Sequence, residues 1–155
     1  MPALRTYIHA AGDNVAIGRF DLVTPTGAAD TVEQYDQGDR VHGVALNYVA
    51  ASVLGDVSVQ YVNHTTVLEA QEDAAGNSIA AASEGLNCDV IVAAANTTTG
   101  ISKMMLNSDT AATTATLDMR LLRPVPRPGN TVAVDYCNWF CSPLILDIAE
   151  GKAGI

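Results

Sequence analysis

The sequence is short of cations and short of large apolar anchors. Only two lysines occur in 155 residues, Lys103 and Lys152, and with six arginines against 17 acidic residues the formal net charge is −9. A field of that sign repels phosphate backbones and anionic membrane surfaces, so neither nucleic acid nor a membrane is an expected partner. Aromatic residues are few, one Trp, two Phe and five Tyr. A sugar-gripping cleft lined by aromatic rings therefore has little material to be built from. No apolar run reaches the roughly 18 residues of a membrane-spanning helix. The first residues, MPALRTYIHAAGDN, lack the charged-then-apolar pattern of an export signal, and the expectation is a protein made in a cytoplasm. Cysteine is limited to Cys88, Cys137 and Cys141, an odd number without a disulfide framework, which reads as free thiols.

Catalytic and cofactor signatures are missing too. There is no G-x-S-x-G elbow, no phosphate-cradling G-x-x-x-x-G-K-[ST] loop and no dinucleotide G-x-G-x-x-G pattern. His9, His42 and His64 are accompanied by no Gly-framed cysteine, and each reads as a surface or interface histidine. Cys137 and Cys141 flank Asn138-Trp139-Phe140 with no second ligand pair, so burial between strands is the expected role and no metal site is assigned. Asp30, Glu33, Asp36 and Asp39 crowd a turn-rich stretch with the oxygen ligands that Ca²⁺ favours, but their spacing departs from an EF-hand loop. A solvated acidic loop is the simpler reading. No cofactor and no catalytic residue are expected, and the chain is not expected to be an enzyme.

What the chain does have is small residues, 24 Ala and 14 Thr, interspersed with short alternating segments. Val57, Val59 and Tyr61 alternate with Ser58 and Gln60, a half-buried strand. The same reading applies to Leu117, Met119 and Leu121, and to Val132, Val134 and Tyr136. Further strands are expected near 15–23, 40–48, 88–94 and 143–148, separated by turn residues such as Gly38-Asp39, Gly55-Asp56 and Pro128-Gly129-Asn130. Many short strands at this spacing predict an all-β fold, a β-barrel or β-sandwich of short antiparallel strands. The expected organisation is an N-terminal arm over 1–10, one β domain over 11–148 and a C-terminal tail over 149–155. The Ala- and Glu-rich stretch 68–84 is interrupted by Gly76-Asn77 and reads as a surface loop with one helical turn. RPVPRPG at 123–129 places prolines at alternate positions, which forces an extended path.

Two stretches resemble head structural proteins of tailed bacteriophages. GDRVHGVALNYVAASVLGDVSVQYV (38–62) is similar to the part of small capsid cement proteins in which a strand ending in G-V-A is followed by an alanine-rich link and a second Gly-Asp-turned strand. GLNCDVIVAAANTTTGISKMMLNSDTAATTATLDMRLLRPVPRPGNTV (85–132) resembles the C-terminal half of such proteins, with a Thr- and Ala-rich loop leading into Leu117, Arg120, Leu121, Leu122, Arg123, Val125, Arg127, Pro128 and Asn130. Gly129 stands where that pattern has an acidic residue, and CNWFCSPLILDIAEGKAGI matches nothing in it. The resemblance implies a capsid decoration or cement protein: a β domain on the outer surface of the virion that bridges major capsid protein subunits and associates with itself as a homodimer or homotrimer. Contacts are then expected from the arm, through Ala3, Leu4, Arg5 and Tyr7, and from Arg120, Arg123 and Arg127, since Arg and Tyr are common interface anchors. The alternatives are another virion part, such as a head-completion or tail-tube subunit, or a carbohydrate- or host-surface-binding β-sandwich presenting Tyr136, Trp139 and Phe140, aromatics that otherwise read as core.

Overall fold

The computed structural model of the protein describes residues 4–74 and 77–145. The fold is all-β and antiparallel, with strands in two compact units where one domain was expected. The first unit draws on residues up to 63 and on 92–104, the second on 64–91 and 105–145. The only helical turns among the described residues are two short 3₁₀ turns, Ala81–Ser83 and Ser108–Thr110.

In the first unit, β1 (Leu4–His9), β2 (Leu22–Pro25), β3 (Val32–Gln34), β4 (Gly43–Ala45) and β5 (Gly55–Tyr61) form a five-stranded sheet in the order β1-β5-β4-β2-β3. Alternation in β5 sends Val57 and Val59 inward, where they meet Tyr7, Ile17, Val23, Val32, Ala45 and Val49. Fully burying a valine or isoleucine contributes roughly 1.5–3 kcal/mol, and five of the eight are valine, the shape that fits a pleated surface. The outer strands approach each other at one point: Ile8 bridges Thr31, and the Ile8 N–H donates to the Asp30 carbonyl at 2.8 Å. The sheet thus curls toward itself without closing into a barrel. Gly43 is required by close approach, because a Cβ there would lie 2.4 Å from Val59 Cγ1 and 2.6 Å from the Gln60 carbonyl oxygen.

The second unit contains β6 (Leu68–Gln71), β7 (Asn87–Cys88), β8 (Val90–Ile91), β9 (Met105–Leu106), β10 (Met119–Pro124) and β11 (Asn138–Pro143). Four of these form a sheet in the order β6-β11-β10-β7, and β8 pairs with β9. Met119, Leu121, Trp139, Cys141 and Cys88 are buried, and their opposed register places them on one face.

Several expectations are corrected. Residues 4–9 of the expected arm are strand β1, because Tyr7 and His9 point into the interior while Thr6 and Ile8 do not. Residues 132–136 are a turn and not a strand: Ala133 and Tyr136 hold φ of 60° and 65°, and Val134 and Tyr136 are exposed. Part of the expected loop 68–84 is strand β6, held by pairing of Leu68–Gln71 with β11. The expected tail 149–155 lies outside the described residues, as does Ala3.

Candidate protein-binding surfaces

Strand β1 places Leu4, Arg5 and Tyr7 differently. Among the described residues β1 pairs along its length only with β5, so it stands at the sheet's edge. Leu4 is 61% exposed and Ile8 41%, both on the face away from the core. Arg5 is exposed, ion-paired to Asp30 and 5.2 Å over the Tyr7 ring. An ion pair this open to water is screened and weak, leaving the guanidinium available for exchange with another carboxylate. Tyr7 itself is buried. Its hydroxyl is hydrogen-bonded to the Tyr61 hydroxyl and lies 2.6 Å from His42 Nε2, and burial followed by the Tyr61 contact pushes its pKa up. Tyr7 therefore belongs to an interior polar cluster, and the exposed contact atoms on β1 are those of Leu4 and Arg5.

The arginines of the second unit are gathered by a register shift. Arg120 and Arg123 are three apart, a spacing that would send them to opposite faces of a regular strand. A β-bulge between Leu121 and Arg123 restores them to one face, with Arg120 opposite Ser142 and Arg123 opposite Phe140. Glu69, opposite Phe140 from the other side, shares that face and ion-pairs with Arg127. Arg123 lies 5.5 Å from the half-buried Phe140 ring centroid. Among the described residues neither Arg120 nor Arg123 has a carboxylate at ion-pair distance. The result is a guanidinium pair beside an aromatic ring on a solvent face, suited to bidentate contact with carboxylates of another protein.

The interior holds ionisable groups that no local pattern announces. His9 is fully buried, with Nδ1 2.9 Å from the Val53 carbonyl oxygen and Nε2 2.9 Å from that of Val15 and 3.2 Å from Asp13 Oδ2. Each ring nitrogen thus faces a backbone carbonyl oxygen, which fixes the orientation of the imidazole. His42 is buried too, so two of the three histidines are interior residues and not surface ones. Asp21 accepts from the Gly18 N–H at 2.6 Å and the Gln34 amide at 2.9 Å, and burial raises its pKa. In the second unit Glu72 Oε2 accepts from the Ile79 N–H at 3.0 Å and Trp139 Nε1–H at 3.3 Å, Oε1 is buried with no partner, and burial raises the pKa.

All three cysteines are free and buried. Burial pushes the Cys141 thiol up to about 12 and raises those of Cys88 and Cys137, which makes them poor nucleophiles.

The acidic stretch of the first unit lines a groove of about 440 Å³ in which Glu33, Asp36 and Asp39 accompany Asp13, Val15 and Tyr35. Glu33 is raised by burial and by Asp13 and Asp39. Among the described residues no three His, Cys, Asp or Glu side chains converge to hold a metal ion. Of the aromatic trio considered as a sugar platform, Trp139 is fully buried and Phe140 half-buried, while Tyr136 is 54% exposed and so is not core. No family model, no curated protein and no solved structure matches the chain.

Proposed function

We propose that the protein is a structural subunit of a tailed-phage capsid, of the decoration or cement kind. It is made in the host cytoplasm and binds the outer surface of the head, where it ties major capsid protein subunits together without chemistry of its own. The observation that carries this reading is the solvent face of the β6-β11-β10-β7 sheet, where the bulge aligns Arg120 and Arg123 beside Phe140. Exposed guanidinium groups beside an aromatic ring are the composition of a protein-binding hot spot. The exposed Leu4 and Arg5 at the edge of the other sheet offer a second contact, since an edge strand can add to a neighbouring chain's sheet. The resemblance of 38–62 and 85–132 to capsid cement sequences supports the same assignment.

The test is co-sedimentation of the purified protein with expanded empty heads, followed by the thermal transition of those heads. Binding that raises the shell's melting temperature is expected. Arg120→Glu with Arg123→Glu should abolish binding while the protein's own melting temperature stays within a few degrees. Wild-type protein that leaves shells unbound and unstabilised refutes the proposal.

A further inference from the structure

We infer that copies of this chain associate head to tail, the Arg19–Phe20 corner of one first unit entering the acidic groove of the next. Phe20 is the origin of the argument. It is 54% exposed, and its backbone is left-handed, with φ of 77°, a conformation costly for any residue with a Cβ. Neighbouring bonds impose it: Arg19 N–H donates to the Gly100 carbonyl at 2.8 Å and Phe20 N–H to the Ala45 carbonyl at 2.7 Å. The strain turns an aromatic side chain out to solvent in a protein with only two Phe.

The surroundings of Phe20 define what it fits. The Arg19 guanidinium lies 4.9 Å over its ring and, among the described residues, has no carboxylate partner. Arg19 bridges Ile101, and Leu46 follows the Ala45 carbonyl that holds Phe20; both are 39% exposed. The patch is thus an aromatic and aliphatic centre with an unpaired cation. Its complement is a concavity with apolar lining and an anionic rim. The groove of about 440 Å³ has both, with Val15 and Val92 in its lining and Glu33, Asp36 and Asp39 among its carboxylates. Patch and groove share no residue, so each copy can donate one and receive with the other. In a chain of net charge −9, a contact between two copies must bring opposite charges together locally to overcome the general repulsion, and this pair does so. This places the self-association expected of a cement protein, and rests on that reading only for its biological use. Self-association is measured here without shells, so it can fail while shell binding succeeds, and the reverse.

The experiment is sedimentation velocity of the full chain over a wide concentration range. Wild-type protein should show a sedimentation coefficient that rises with concentration and falls back in high salt. Arg19→Glu should weaken association on the order of a hundredfold, as a like charge placed against a carboxylate costs several kcal/mol. Phe20→Gly should weaken association while leaving the melting temperature unchanged or higher, because glycine adopts the left-handed backbone freely. A Phe20 that merely packs the fold predicts the opposite, a lower melting temperature with association intact. The decisive arm mixes two variants. Arg19→Glu keeps the groove, Asp36→Asn with Asp39→Asn keeps the patch, and each alone should remain monomeric. Mixed in equal amounts they should form a dimer and nothing larger, from the intact patch of one and the intact groove of the other. Wild-type protein that stays monomeric, an acidic-groove variant that still self-associates, or a mixture that yields no dimer each overturns the inference.

Discussion

Replacing Glu72 by Gln isolates the cost of holding an ionisable group inside the second unit. Glu72 has no exposure, and one carboxylate oxygen accepts from both Ile79 N–H and Trp139 Nε1–H while the other has no partner. The amide oxygen of Gln can accept the same two bonds, so at about pH 4, where the wild-type side chain is neutral in the fold, the two proteins should differ by no more than about 1 kcal/mol. Burial raises the folded-state pKa above the ordinary 4.5. The stability that Glu72 supplies is therefore complete below 4.5 and is lost as pH climbs through the folded value. Gln does not titrate. The variant should gain on the wild type by up to about 1.4 kcal/mol for each pH unit between the two pKa values.

Urea unfolding followed by fluorescence reads this directly, because the single tryptophan, Trp139, is buried in the same unit and bonded to the same carboxylate. Glu72→Leu is the companion: it strands both donors at every pH, with an expected loss of about 2–6 kcal/mol from two unpaired groups at 1–3 each. A wild-type-minus-Gln difference that is flat with pH, or one that turns in favour of the wild type as pH rises, refutes the reasoning.

Gly43→Ala should destabilise the first unit by about 1–3 kcal/mol, since the new methyl meets Val59 Cγ1 and the Gln60 carbonyl; an unchanged midpoint in a denaturant titration would contradict it. Tyr7→Phe should lower stability by about 1–3 kcal/mol, because it strips a hydroxyl from between His42 and Tyr61, and thermal unfolding checks it. The three thiols should resist a thiol reagent in the native protein at mildly alkaline pH and all react once it is unfolded, given burial and a Cys141 pKa of about 12. Fast native labelling of any one of them would show that its strand opens.

The parts legible in the sequence were those encoded locally. β5 could be read from Val57, Val59 and Tyr61 because each alternate residue states which face is buried. The segment at 132–136 carries the same alternation in Val132, Val134 and Tyr136, yet left-handed Ala133 and Tyr136 make it a turn. Alternation says which residues share a face only if a partner strand is there to make it a face. β1 was hidden for the converse reason: its edge position leaves Leu4, Arg5 and Thr6 exposed, so LRTYIH has the look of an arm. The arginine face was half legible. Arg120, Arg123 and Arg127 stood out as residue types, but their alignment depends on a bulge that no residue spells out. The polar interior could not be seen at all, because Glu72 meets Trp139 across 67 positions and His9 meets Val53 across 44.

The allocation of 92–104 to the first unit has a consequence for how the polypeptide is made. Neither compact unit is a single uninterrupted piece of chain, since the first takes in a stretch that follows β8 and the second resumes with β9 at Met105. A ribosome must therefore translate past residue 104 before the earlier unit has all its parts, by which time β6, β7 and β8 have already emerged. The two units mature in overlapping windows, which exposes unfinished sheet edges on the nascent chain. No cut at one peptide bond yields both units whole, and a gene fragment that ends at residue 63 should return a first unit that fails to fold for want of the 92–104 stretch.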